Sequence, residues 1–229
     1  MFDTYQREIA DESYVALTQK AKGFSVLPCD LENLANAVKF IMKVCEEAGL
    51  YCELDDGSVL GAVKFGKVLP WEKDADIRFL LENYIAFLTL RSQFEAAGFR
   101  FIEVNGPECC ADGRKTGGKI FTHRNYWRIE LHGIGTMESQ LLVAKGLRPT
   151  KIMFAGLWVT TMQNPGLFSR NRYGPNIYQH AQHWNDIMAF KGPWGRYHPG
   201  VFSKCPIPGH SGCLDQFSAD GNLQFSEDL

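Results

Sequence analysis

The sequence predicts an α/β or α+β fold: a short mixed sheet flanked by helices, with a loop-rich wrap at the C-terminus. Three observations carry this prediction. Leu31, Leu34, Ala35, Val38, Ile41, Met42 and Cys45 recur at helical spacing, and Tyr84, Ile85, Leu88 and Phe94 do so again. Short runs rich in β-forming residues lie between and after these helices. Beyond residue 190 the periodicity fades and Gly and Pro accumulate, as in Lys191-Gly192-Pro193-Trp194-Gly195. The expected organisation is an N-terminal extension over residues 1–28, one domain over 29–190, and a C-terminal extension over 191–229. Trp194, Tyr197, Phe202 and Phe217 would anchor that last segment to the domain.

Taken in order, the first expected helix has Asp30 as its N-cap and ends at Gly49. Leu50–Leu54 is a short strand closed by Asp55-Asp56-Gly57, and Ser58 to Phe65 is a helix of about two turns ended by Gly66. Pro70 and Trp71 lead into a strand from Asp74 to Leu81; Trp71 either packs under the strand or stacks on a base. Glu82 to Ala97 is a second amphipathic helix, and Phe99 to Val104 another strand. Asn105 to Gly118 is expected as a Gly-rich charged loop, either simply solvated or closing over phosphates. Tyr126 to His132 alternates, with Trp127, Ile129 and Leu131 inward and Arg128, Glu130 and His132 on the polar face. Lys151 to Thr161 is a hairpin turning near Ala155-Gly156. Asn164-Pro165 opens a helix that carries Arg170 and Arg172, and Asn176 to Phe190 is the last helix.

Composition removes several function classes. A net charge of −2 gives no general attraction for DNA, RNA or an anionic membrane. No apolar run is long enough for a membrane span, and the first residues lack the pattern of a signal peptide. No Gly-Lys-Ser/Thr loop of the main ATPase class occurs. The seven cysteines cannot all pair within the chain. Cys45 and Cys52 are expected as buried free thiols, while Cys205 and Cys213 flank a loop that a disulfide could close. Zinc held by Cys205, His210, Cys213 and Cys109 or Cys110 fits no common spacing, and His180 with His183 lacks an accompanying Glu.

The stretch from Leu54 to Arg78 carries the chemistry. In a strand, side chains two apart share a face, so Asp74, Asp76 and Arg78 point one way and Ala75, Ile77 and Phe79 the other. Adjacent carboxylates repel each other and resist desolvation unless a cation joins them. A hard ion such as Mg²⁺, held by one or two carboxylates and substrate phosphates, fits that demand. Gly57 and Ser58 offer backbone N–H groups at a helix start, where phosphate binds readily. Lys64 and Lys67 are either a solvated helix end or phosphate contacts; Arg170 and Arg172 are either exposed or receive an anionic group. His132 is a proton acceptor or a structural residue.

The same residues resemble the LicD/fukutin family of the nucleotidyltransferase-fold superfamily. Its signature, Gly-Ser/Thr-Leu-Leu-Gly-x-x-Arg followed by Ile-Pro-Trp-Asp-x-Asp-x-Asp, is matched at Gly57, Ser58, Leu60, Gly61, Pro70, Trp71, Asp74 and Asp76. Val59, Lys64 and Glu72 depart from it while keeping chemical character, and Arg172-Tyr173-Gly174 resembles a Tyr-Gly late in the family domain. The resemblance implies a nucleotidyltransferase-like core over roughly residues 31–178. It also implies transfer of a phospho-alcohol, of the phosphocholine or ribitol-phosphate type, from a CDP-activated donor to a glycan or glycoprotein hydroxyl. Asp74, Asp76 and Glu72 would hold Mg²⁺ or Mn²⁺. Glu130, from a later strand, would complete the catalytic carboxylates. Gly57, Ser58, Lys64, Arg78 and Arg172 would contact substrate. Two alternatives stay open: nucleotidyl transfer to a small acceptor, and a non-catalytic glycan- or nucleotide-binding relative. The resemblance places the protein in the secretory pathway if an N-terminal anchor precedes this chain, and in the cytoplasm otherwise. A homo-oligomer is compatible with either.

Overall fold

The computed structural model describes residues 27–103, 115–122, 127–173, 177 and 223–224. Helix α1 runs from Pro28 to Glu47 and buries Leu34, Ala35, Val38, Ile41, Met42 and Cys45 along one stripe. It begins two residues before the expected cap: Pro28 suits the first helical position because its missing N–H would be unpaired there. Asp30 instead lies in the first turn, where its charge meets the positive end of the helix dipole. Gly49, at φ +67°, lets the chain reverse into β1 (Cys52–Leu54).

Cys45 and Cys52 are joined as a disulfide, not the buried free thiols the apolar pattern suggested. The reversal at Gly49 brings their Cα atoms to 6.2 Å, within bridging reach. The periodicity of α1 was legible, but the pairing depends on how tightly the chain turns back.

Five strands form the main sheet in the order β1-β2-β5-β4-β3, with β2 (Asp74–Leu80), β3 (Arg100–Ile102), β4 (Lys115–Phe121) and β5 (Arg128–Ile134). Only the central pair β2–β5 is parallel; the other pairs are antiparallel. Helix α2 (Asp56–Phe65) links β1 to β2 and closes on Gly66 at φ +65°. The expected single helix over 82–97 is broken into a 3₁₀ turn (Leu81–Asn83), α3 (Tyr84–Thr89) and α4 (Arg91–Ala96). At the break the Thr89 hydroxyl donates to the Ala86 carbonyl at 2.6 Å, a side-chain bond that competes with helix propagation. Ile85 is then 72% exposed, off the apolar stripe to which its spacing assigned it.

The Gly-rich segment expected as loop through Gly118 is strand from Lys115 onward, with an irregular register between Thr116 and Gly118. Glycine here serves close packing. A Cβ on Gly117 would stand 2.2 Å from Cε1 of Phe79, and that ring is buried and stacked on Tyr84 and Phe87. Phe87, Phe94 and Phe101 continue the aromatic core on the same side.

After β5, helix α5 (Glu138–Ala144), which the sequence reading did not anticipate, leads to the hairpin β6 (Lys151–Phe154) and β7 (Leu157–Thr160). Ala155 and Gly156 both take positive φ, as a two-residue hairpin turn requires. Helix α6 (Pro165–Tyr173) starts where expected, and Asn164 Oδ1 accepts the Leu167 N–H at 2.9 Å. Strand β8 (Leu223–Gln224) pairs with β6 in a second sheet. The N-terminal extension up to residue 26, the 105–114 part of the charged loop, the helix over 176–190 save Ile177, and the remaining cysteines beyond Cys52 lie outside the described residues. So does the C-terminal wrap save β8. Among the described residues no helix is long and apolar enough to cross a membrane.

The account of Gly117 is directly testable. Gly117→Ala is expected to destabilise the protein by about 1–3 kcal/mol, the usual cost of overpacking a filled core. Chemical denaturation would measure it. A change within experimental error would show that Phe79 has room to yield.

Candidate functional site

The site is assembled where β1, β2 and β5 meet the start of α2. Alternation along β2 leaves Ala75, Ile77 and Phe79 buried and turns Asp74, Asp76 and Arg78 to the other face, as the spacing predicted. The parallel register places Asp76 opposite Glu130, Asp74 opposite Arg128 and Arg78 opposite His132. Carboxylates some fifty residues apart in sequence thus meet on neighbouring strands. Asp55 follows the end of β1, and its N–H donates to the Asp76 carbonyl at 3.0 Å, so α2 begins directly beside Asp76.

Negative charge concentrates here. Asp55 and Asp56 are both buried, and Glu72 nearly so. The Asp74 carboxyl is pushed up to about 7, first by loss of solvation and then by the Glu72 charge, against the opposing pull of Arg128. A side-chain hydrogen bond with Glu72 adds to the rise of the Asp74 carboxyl. Asp76 lies well above the usual carboxylate range because burial is compounded by Asp56, Asp74, Asp55 and Glu130. The Tyr173 phenol is likewise raised, by burial and then by Asp56 and Asp76, and so holds its proton.

Glu130 is different. Burial alone would raise its carboxyl, but hydrogen bonds from Lys119 and Arg128, and their charges, outweigh that and lower it. Both cations use Oε1, Lys119 at 2.9 Å and Arg128 at 2.7 Å. Oε2 faces His132 Nε2 at 3.9 Å, and His132 Nδ1 lies 3.2 Å from Asp55 Oδ2. Asp76, Glu130 and His132 each present one donor atom with all of these within 4.8 Å of one another; Asp55, Asp56 and His132 do the same. A cluster of oxygen donors, with the Asp76 carboxyl raised and that of Glu130 lowered, completed by one imidazole nitrogen, fits a divalent cation.

The structure therefore brings Asp74, Asp76, Glu130 and Glu72 together. Of the residues expected to meet substrate, Gly57 and Ser58 lie in the first turn of α2, at the expected helix start. The Ser58 hydroxyl accepts the Asp76 N–H at 2.9 Å and so ties the helix to β2. Gly57 stands beside the same carboxylate: a Cβ there would come 3.5 Å from Asp76 Oδ2.

Lys64 is buried rather than at a solvated helix end. Its ammonium reaches the Ile177 carbonyl at 3.4 Å between the rings of Phe65 and Trp71, and burial pushes it down to about 7. Lys67 is exposed. Trp71 packs edge-on against Phe65. Arg78 donates through Nε and Nη2 to Glu53, a fully buried carboxylate that also accepts the Ser139 N–H. Through Glu53 this arginine ties β2 to β1, Glu53 in turn holds the start of α5, and the guanidinium lies over Phe168 of α6. Arg172 grips Asp56 with Nε to Oδ1 at 3.0 Å and Nη2 to Oδ2 at 3.3 Å. Asp56 needs such a hold, because its φ of +34° is unusual for a non-glycine residue.

Asp55, Asp56 and Tyr173 were not among the expected site residues. The Asp55-Asp56 pair was legible only as the end of a strand, and its nearness to Asp76 depends on the β1–β2 pairing. In the sequence, Tyr173 stands out only as part of the Arg172-Tyr173-Gly174 motif.

The raised carboxyls set a pH dependence. A carboxyl whose folded value is raised contributes stability below its unfolded value and loses it as pH climbs through the folded value. In the presence of a chelator, the melting temperature is therefore expected to fall between about pH 4 and pH 7 relative to Asp74→Asn, which carries no titrating group there. Parallel curves for the two proteins would remove Asp74 as a strained carboxylate.

Residues 49–132, which run from the end of α1 to His132, match the family described as LicD/FKTN/FKRP, nucleotidyltransferase domain. Ribitol 5-phosphate transferase FKRP of Mus musculus is 38% identical over 56 residues, and so is that of Homo sapiens. Each match covers 24% of this chain and only 11% of the relative. Among solved structures, antibiotic-resistance factor ANT(2'')-Ia is similar at a TM-score of 0.38 and 15% identity, over 56% of this chain and 64% of that one. Lincomycin-bound lincosamide antibiotic adenylyltransferase LnuA is similar at 0.37 and 15%, over 56% and 79%. The strand pair that carries Asp74, Asp76 and Glu130 falls within the segment, residues 49–132, that matches the LicD/FKTN/FKRP nucleotidyltransferase domain.

Proposed function

We propose that this protein is a metal-dependent transferase that moves a phospho-alcohol from a CDP-activated donor to a glycan hydroxyl, with its centre at Asp74, Asp76 and Glu130. The observation that carries the reading is the register of β2 against β5, which sets Asp76 beside Glu130 amid further buried carboxylates. The relatives named above are ribitol 5-phosphate transferases, and a ribitol-phosphate or similar group is the donor class they suggest.

In this account Asp74, Asp76 and Glu130 would hold Mg²⁺ or Mn²⁺, with Glu72 hydrogen-bonded behind Asp74. When bound, the ion would supply charge neutralisation at the donor diphosphate and the leaving nucleotide. The remaining work belongs to the chain. Ser58 fixes α2 against Asp76, so the N-terminal N–H groups of that helix are held beside the carboxylates, where a phosphate is favoured. Arg172 keeps Asp56 in its strained conformation and thereby positions the same helix start. Lys119 and Arg128 keep Glu130 ionised, which suits a cation ligand better than a proton acceptor. Tyr173, protonated, can donate a hydrogen bond to an incoming oxygen anion. Positioning and fixed charge would provide most of the rate enhancement.

Arg78 and Lys64 have structural roles in this reading, since one is committed to Glu53 and the other is buried against Trp71. A location in the secretory pathway, which the family resemblance implies for a chain that carries an N-terminal anchor, is part of the same proposal, with the cytoplasm as its alternative. Nucleotidyl transfer to a small acceptor would use the same carboxylates; release of CMP from a CDP donor distinguishes the proposed reaction from release of pyrophosphate from a triphosphate.

Asp74→Asn and Asp76→Asn are each expected to lower turnover of a CDP-alcohol donor by at least about a hundredfold, the scale of losing an electrostatic stabiliser, with the fold intact. Steady-state kinetics with circular dichroism would measure both. Wild-type turnover in either variant would remove the metal mechanism.

A further inference from the structure

We infer that His132 is itself a ligand of the cation through Nε2, and that the mixed carboxylate–imidazole set makes this a site for Mn²⁺ in preference to Mg²⁺. The inference rests on the metal-dependent reading above and adds the ligand and the ion that reading leaves open.

The geometry begins at Asp55. Its Oδ2 lies 3.2 Å from His132 Nδ1, and in the proposed tautomer the Nδ1–H donates to it. The lone pair is thereby assigned to Nε2, on the side of the acidic cluster. A carboxylate behind a histidine, fixing its tautomer and ring orientation, is the usual support of a metal-binding imidazole. His132 is only 2% exposed and Asp55 1%, so the ring is held rather than free to swing.

Opposite stands Glu130. Its Oε1 is taken by Lys119 and Arg128, and its Oε2 is the atom that faces Nε2. Their separation of 3.9 Å is too long for a hydrogen bond. It suits two ligands of one ion, because donors each about 2.1 Å from a cation stand at most about 4.2 Å apart. Asp76 completes the set, with all three donor atoms within 4.8 Å of one another. The other trio, Asp55, Asp56 and His132, is already committed: Asp55 to the imidazole and Asp56 to Arg172.

Mg²⁺ demands octahedral oxygen coordination and gives up water reluctantly, whereas imidazole suits first-row transition ions. Two carboxylates with one imidazole therefore tilt the choice to Mn²⁺.

The test uses the full chain with each metal alone. Isothermal titration would give affinities for Mn²⁺ and Mg²⁺, and pulsed electron paramagnetic resonance of bound Mn²⁺ would detect a coordinated nitrogen. Wild type is expected to show ¹⁴N coupling and tighter binding of Mn²⁺. His132→Gln should lose that coupling and at least about tenfold in Mn²⁺ affinity, with Mg²⁺ affinity changed much less. Asp55→Asn should weaken Mn²⁺ by about 10–100-fold, as loss of a carboxylate behind a ligand does. Should His132→Gln fail to fold by circular dichroism, the wild-type nitrogen signal together with Asp55→Asn decides. Mn²⁺ bound without nitrogen coupling, but lost in Asp76→Asn, would overturn the inference while the carboxylate site stands, and would leave His132 as a proton acceptor or a structural residue. Absence of Mn²⁺ binding, or binding indifferent to both Asp74→Asn and Asp76→Asn, would overturn the inference and the proposed function together.

Discussion

The structure depends on the parallel pairing of β2 with β5, which forces Asp76 and Glu130 side by side in a partly desolvated place. Like charges so arranged raise each other's protonation equilibria and oppose folding. A chain that evolved only for stability would have little use for such a pair. The apolar face of the same strands makes it tolerable: Ala75, Ile77, Phe79, Ile129 and Leu131 are all buried, so the register cannot slip without exposing them. The core holds the charges together.

Around that pair the chain distributes its own counter-charges. Lys119 and Arg128 converge on Glu130, Arg172 holds Asp56, and His132 meets Asp55. Arg78 and Glu53 form a separate buried pair that ties β1, β2 and α5 together. Removing one partner of such a buried pair leaves the other charge uncompensated, which is far costlier than the net worth of the pair. Arg128 also reaches Asp74 Oδ2 at 3.2 Å, yet the carboxylates around Asp74 and Asp76 outnumber the cations. That imbalance is what a bound divalent ion would relieve.

Much of the fold was legible because it rests on local pattern. The α1 stripe, the alternation along β2 and β5, and the Ala155-Gly156 turn all follow from residue type and spacing. The site's acidic face was legible for the same reason: Asp74 and Asp76 must share a side of any strand they occupy. What could not be read depends on distant contacts. Gly117 and Gly118 look like loop residues until Phe79 is seen against the first of them. The Cys45–Cys52 bond requires the tight return at Gly49. Arg78 shares the face of the aspartates yet is consumed by Glu53 from the neighbouring strand, and Lys64 turns inward among aromatic rings. Residue type marked these cations as able to bind phosphate, but only the tertiary structure shows what each one touches.

The most direct test of the central claim, that the Asp74/Asp76 face is a cation-dependent nucleotide site, is thermal unfolding with CDP. The melting temperature would be followed with CDP alone, with Mn²⁺ alone and with both, for wild type and Asp76→Ala. A ligand that binds only the folded state raises apparent stability with the logarithm of its concentration. The account predicts an upward shift with CDP that requires the metal and disappears in Asp76→Ala. A folded wild-type protein whose melting temperature is the same with and without CDP, at any metal concentration, would contradict it.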